Sequence, residues 1–266
     1  MNQTVFKRYE LKYKLNRRQF AELLNIMQPY MKPDRFGKST IQSLYLDTPS
    51  FLLARRSLEH PLYKEKIRIR SYGLAGPDDP VFIELKKKYE SIVYKRRVEM
   101  NGEKAERYLY QGETVMDTQI MREIDFCRKR YEGLAPRVML SYQREAWYGK
   151  DDHELRITFD DRILWRDKCL GMADGIFGAP LLKDDEVLME VKVAATMPRW
   201  LVQFLSREKI YKTSFSKYGT AYQILRTPYH IHDVGDKQIF RDDTNECFGV
   251  SCPQNDFIKE GDRKYA

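Results

Sequence analysis

The chain has 266 residues, a net charge of +8, 42% hydrophobic residues, 18 Tyr and 13 Phe. That composition excludes a disordered chain, and the lack of any apolar run of about 18 residues excludes a membrane-spanning helix. The opening MNQTVFKRYE has no signal-peptide core, so the expected compartment is the cytoplasm.

The basic excess suits an anionic partner such as nucleic acid, anionic lipid or a phosphorylated small molecule, or serves solubility alone. Cys127, Cys169, Cys247 and Cys252 form no CxxC pair, which speaks against a zinc site. Cys247 and Cys252 could bridge in an oxidising setting, whereas a cytosolic chain would keep them as thiols.

RYELKYKL, residues 8–15, alternates apolar and charged side chains and predicts a strand. NRRQFAELLNIMQPYM, 16–31, predicts a helix with Asn16 as N-cap. Residues 32–40 read as loop, SLYLDT (43–48) as a short strand, and 49–58 as a helix opened by Pro49. Three strands follow at 63–72, 81–89 and 91–100, then helices at about 103–111 and 117–131. Strands at 136–149, 153–161 and 187–193 and helices at about 198–209 and 214–226 complete the pattern. The tail beyond Pro228 loses its period and is rich in Asp, Gly and Asn. The expected organisation is a folded domain over 1–228 and a loosely packed or partly disordered extension over 229–266. The fold class is α+β, antiparallel-rich, with about eight strands.

The polar faces of these strands are crowded with charge. Arg8, Lys12, Lys14, Lys64, Lys66, Arg68, Arg70, Lys86, Lys88, Lys95, Arg97, Arg156 and Lys192 outnumber Glu10, Glu84, Glu99, Glu154, Asp160 and Glu190. Two arrangements fit: a solvated sheet, or a sheet curled so that the charges face one another. Like charges 4 Å apart repel by roughly 4 kcal/mol at an effective dielectric near 20. A lumen would tolerate that repulsion with water, some carboxylates and a bound polyanion. Arg offers forks to phosphate oxygens and Lys offers point charges. Glu190 or Glu10 could hold Mg²⁺ or Mn²⁺. Tyr9, Tyr13 and Phe159 alternate onto the apolar face, which argues against base-stacking platforms and against a nucleic-acid partner.

RYELKYKL, KIRIRSY, FIELKKK, SYQR, ELRITFD, LMEVK and FSKY, in that order, resemble the catalytic domain of the vacuolar transporter chaperone (VTC) polyphosphate polymerases. That domain belongs to the triphosphate tunnel metalloenzyme superfamily, and the similarity covers roughly residues 4–226. The resemblance implies an antiparallel β-barrel flanked by helices, with a basic tunnel that takes ATP, triphosphate or polyphosphate, and Mn²⁺ or Mg²⁺. It implies catalytic roles for Arg68, Arg70, Lys86 and Arg156. It implies substrate contacts for Lys12, Lys95, Arg144, Ser216 and Lys217, a base contact for Tyr142, and metal binding by Glu190 and Glu10. Arg144 rests on the resemblance alone, because Leu140 and Tyr142 share its face. The wider superfamily opens with ExExK; here Arg8 leaves R-x-E-x-K, which implies one metal rather than two. The implied activity is polyphosphate synthesis from ATP. A triphosphatase and a non-catalytic polyphosphate binder remain as alternatives. With no membrane span of its own, the chain leaves room for a membrane partner.

Overall fold

Asn16 ends the first strand and starts the first helix. Its side chain accepts from the Gln19 N–H at 2.8 Å, and the Asn16 N–H donates to Gln19 Oε1 at 3.0 Å. This capping box satisfies backbone donors that a helix start otherwise leaves orphaned. The computed structural model describes residues 9–59, 61–90, 92–113 and 115–227, with the backbone of two short strands at 246–247 and 250–251. Arg8 and most of the predicted 229–266 extension lie outside the described residues.

In chain order the elements are β1 (Tyr9–Asn16), α1 (Arg17–Met27), β2 (Met31–Pro33), β3 (Ser39–Asp47), α2 (Leu52–Leu58), β4 (Tyr63–Tyr72), β5 (Pro80–Tyr89) and β6 (Ile92–Asn101). Next come α3 (Gly102–Glu106), a π-helical turn (Arg107–Gln111), α4 (Gln119–Arg130), β7 (Ala135–Gly149), β8 (Arg156–Arg166) and β9 (Ala179–Pro180). The rest are β10 (Glu186–Val193), α5 (Arg199–Arg207), β11 (Lys212–Thr213), α6 (Lys217–Arg226), β12 (Glu246–Cys247) and β13 (Val250–Ser251). Among the described residues, no helix is long and apolar enough to cross a membrane.

Eleven strands form one antiparallel sheet with the path β11-β1-β10-β8-β7-β3-β4-β5-β6, and β2 and β9 attach at its side. The hydrogen-bond ladder does not close into a ring. The sheet is rolled nonetheless. Lys86 of β5 lies 3.6 Å from Glu10 of β1, although these strands sit far apart along the ladder, and Lys66 of β4 donates to Ser216 Oγ, the N-cap of α6, at 3.2 Å. The expected α+β barrel is thus present as an open barrel whose seam is spanned by side chains.

Three differences from the sequence reading have local causes. Helix α2 begins at Leu52 and not at Pro49, because the buried Asp47 carboxylate takes the N–H groups of Leu53 at 2.9 Å and Ala54 at 2.8 Å. Phe51, at φ +55°, turns the chain into it. Strand β8 runs on to Arg166 past a bulge, with Arg162 at φ +48°. The bulge shifts the alternation by one residue, so the period-two pattern stops at Asp161 while the ladder continues. The helix expected over 103–111 is a short α-helix followed by the π turn, ended by Gly112 at φ +73°.

The convex face buries two cores. Ile67, Ile83, Leu85 and Val98 pack with Met121 and Ile124 of α4. Leu15, Ile157 and Val191 pack with Leu23 of α1 and with Leu201 and Phe204 of α5. Each such side chain contributes roughly 1.5–3 kcal/mol on burial. A third core lies on the concave face. There Ile41, Leu140, Tyr142 and Trp165 are covered by Tyr218 and Ala221 of α6. Helix α6 fills part of the barrel and brings its N-terminus to the charged remainder.

Candidate active site

Cross-strand register sets which side chains share the concave face. Glu10 stands opposite Lys192, Lys12 opposite Glu190, and Thr158 opposite Glu190 on the other side. Arg144 pairs with Asp160, Ser43 with Arg70, Arg68 with Glu84, Lys66 with Lys86, and Lys86 with Lys95. The strand faces that read as charged in the sequence therefore line one channel.

Two ion networks organise it. In the first, Asp160 is fully buried and accepts both Nε and Nη2 of Arg144 at 2.5 and 2.6 Å. Lys217, the first residue of α6, lies 2.5 Å from Asp160 and 3.0 Å from Glu190. Arg144 reaches Glu190 at 3.4 Å. Lys12 then sits between two carboxylates, 3.6 Å from Glu190 and 3.5 Å from Glu10, and donates to the Phe215 carbonyl at 3.1 Å. In the second network Glu84, 1% exposed, holds Arg68 at 2.8 Å, Lys95 at 2.7 Å, Arg97 at 3.7 Å and Arg70 at 3.9 Å. Arg68 donates to the Tyr45 hydroxyl at 2.8 Å. Arg70 donates to the Tyr142 hydroxyl at 3.2 Å and to Ser43 Oγ at 3.4 Å. Tyr142 joins the networks, since Lys217 and Arg144 lie 4.9 and 5.2 Å from its ring centre.

Burial pushes the Glu190 carboxyl up, yet Lys217, Lys12 and Arg144 together hold it well below the usual carboxylate range. Burial also works against the Lys217 ammonium, and Asp160 and Glu190 overcome it and raise its pKa. Burial would raise the Tyr142 phenol, but Arg70 and Arg144 carry it below its ordinary value.

The predicted site residues fall into groups. Arg68, Arg70 and Lys95 gather around Glu84; Lys12, Arg144, Lys217 and Glu190 gather with Asp160. Lys86 joins Glu10 at the seam, and Ser216 caps α6, accepting from the Gly219 N–H. Arg156 stands apart from the β4 arginines, on β8 beside Lys192, with its guanidinium 4.8 Å from the Tyr148 ring centre. Tyr142, expected as a base contact, is 3% exposed, and its hydroxyl accepts from Arg70. Tyr9, Tyr13 and Phe159 do face away from the channel, but Tyr45, Tyr72, Phe82 and Tyr148 share the charged face by register. The exclusion of stacking surfaces therefore fails in general. Asp160 and Glu84 carry no assigned role in the sequence pattern. Their place on the basic face was visible in RITFD and FIELK, and their partners, many residues away, were not.

Among the described residues, Lys66, Lys64, Lys88 and Arg156 have no carboxylate ion partner, whereas Lys192 stands opposite Glu10 and is acted on by Glu10 and Glu190. Burial, followed by the nearby Lys12, Lys86 and Lys64, holds the Lys66 pKa well below that of a free lysine. Removing the side-chain nitrogen relieves both the burial and the like-charge repulsion. Lys66→Met is expected to stabilise the free protein by about 1 kcal/mol and to weaken tripolyphosphate binding. Urea unfolding and calorimetry check this, and a destabilised variant with unchanged binding would refute it.

The chemistry of the donors bears on a metal. Glu190 and Glu10 supply hard carboxylate oxygens, and the Lys12 ammonium between them shows that the spot accommodates a cation. Among the described residues no three acidic, histidine or cysteine side chains converge on one point. These two residues therefore fit an ion whose remaining ligands come from phosphate and water, as is usual for Mg²⁺.

The VTC domain family matches residues 7–226. A candidate adenylate cyclase from Bacillus halodurans has the same fold, with a TM-score of 0.51 and 12% identity over 80% of this chain and 96% of its own. A candidate adenylyl cyclase from Hippeastrum, described as having a dominant triphosphatase activity, is 14% identical over 82% of this chain and 97% of its own, at a TM-score of 0.49. No curated protein matches the chain.

Proposed function

Because this chain belongs to the VTC domain family, we propose that it is a metal-dependent phosphoryl transferase that makes polyphosphate from ATP within the rolled sheet. The observation that supports this reading is the set of channel cations without carboxylate partners, with Lys66 and Arg156 among them. A phosphate chain would supply the missing negative charge along the channel.

In this reading Arg68 and Arg70 hold the phosphoryl group to be transferred, and Lys86, Lys95 and Arg156 neutralise oxygens along the chain. Lys12, Arg144, Ser216 and Lys217 hold the remaining phosphates, with Tyr142 orienting Arg70. Glu190 and Glu10 would hold Mn²⁺ or Mg²⁺, which when bound neutralises phosphate charge. The chain-end phosphate oxygen forms the new bond to the γ-phosphorus, the bond to the β-phosphate oxygen breaks, and ADP leaves. Positioning and charge stabilisation suffice for this chemistry, so no protein nucleophile is required.

The test is incubation with ATP and Mn²⁺, with products resolved by gel and by free-phosphate assay. Chains longer than a triphosphate are the expected result. Free phosphate alone would make the protein a triphosphatase. Neither product, with tripolyphosphate still bound tightly, would leave a binder and overturn the enzyme reading.

A further inference from the structure

The channel has an aromatic end. Arg68, Arg70 and Tyr72 alternate along β4, so all three point to the concave face. Phe82 stands directly opposite Arg70, and Glu84 opposite Arg68. On β6, Arg97 is opposite Glu84. The Tyr72 and Phe82 rings meet edge to face, with centroids 5.8 Å apart and planes at 79°. The Arg97 guanidinium lies 3.5 Å from the Phe82 ring centre and 5.7 Å from that of Tyr72, and donates to the Tyr72 hydroxyl at 3.4 Å. Glu84 holds the same guanidinium from below at 3.7 Å. Phe82 thus carries Arg97 on its face and Tyr72 at its edge, one step beyond the arginine pair.

Exposure separates Tyr72 from the other channel aromatics. Tyr45 is buried and stacked on Tyr218 at 4.4 Å, and Tyr142 is buried beneath Arg70. Tyr72 is 54% exposed. A phosphate chain gains nothing from an open phenol ring, and a flat heterocycle does. At about 3.3 Å per residue, Tyr72 lies about 7 Å along the strand from Arg70, so a ligand lying along β4 reaches both.

We propose that Tyr72 and Arg97, held in place by Phe82, form a platform on which the base of a nucleoside triphosphate stacks while its phosphates lie along Arg70 and Arg68. This inference rests on the triphosphate reading above and extends it to the base. The guanidinium plane of Arg97 and the face of Tyr72 supply the contacts, and both are tolerant of base identity because every base has a π-face. The platform makes the donor a nucleotide in preference to a bare tripolyphosphate.

The experiment measures kcat/KM, or Kd where turnover is absent, for ATP and for tripolyphosphate with the wild type, Tyr72→Ala and Tyr72→Trp. The ATP-to-tripolyphosphate ratio should fall about tenfold in Tyr72→Ala, the size of one lost base–aromatic stack, and recover in Tyr72→Trp. A Tyr72→Ala variant with an unchanged ratio overturns the platform and leaves the triphosphate reading standing. A wild type that takes neither ligand defeats the triphosphate reading and the platform with it.

Discussion

Replacing Arg70 with alanine is expected to lower kcat/KM on ATP by on the order of 10²–10³-fold while the chain stays folded. Arg70 is 7% exposed and lies where the two ion networks approach each other, donating to Tyr142 and Ser43. A buried guanidinium fixed by its neighbours stabilises charge developing on a transferred phosphoryl group far better than one in water. Folding should survive, because Glu84 keeps Arg68, Lys95 and Arg97 after Arg70 is gone. The loss of the Tyr142 and Ser43 hydrogen bonds costs about 1 kcal/mol each. Steady-state kinetics beside a thermal melt decide the matter. Wild-type turnover in a folded Arg70→Ala protein would remove Arg70 from the chemistry.

Asp160→Ala should destabilise the fold by about 3–5 kcal/mol, the usual cost of leaving one side of a buried ion pair without its partner. Asp160 is fully buried between Arg144 and Lys217. Its removal leaves these two cations only Glu190, which also faces Lys12. Lys217 opens α6, so the loss should loosen the helix that covers Ile41, Leu140 and Trp165. Urea unfolding read by tryptophan fluorescence measures the change. Adding Arg144→Met to Asp160→Ala should restore part of the stability, since it removes one stranded charge. A single variant within about 1 kcal/mol of wild type would show that the network does not hold α6 in place.

Much of the wall of this barrel is legible residue by residue. YKEKIRIRSY forms a strand over the residues read for it, and VFIELKKKY and VLMEVKV differ by one residue at an end. Alternation is imposed by the pleat and needs no distant partner. Asn16 and Gln19 likewise place a helix start from four consecutive residues. The charge on alternate strand positions carries the same kind of information, and the order of the motifs points to the family that the chain belongs to.

What escaped the pattern depends on contacts between distant segments. The bulge at Arg162 breaks the period that a strand reading follows. The delayed start of α2 is set by Asp47, which meets Tyr218 from the far end of the domain at 2.7 Å. Nothing in RITFDD shows that Asp160 will face Lys217, and nothing in FSKY shows that α6 will enter the barrel. SYQR does not reveal that Tyr142 is buried with its hydroxyl bonded to Arg70. Local side-chain alternation fixed the strands and the faces their charges occupy. The roll of the sheet, closed by side chains and not by backbone hydrogen bonds, decided which charges neutralise one another and which are left for a ligand.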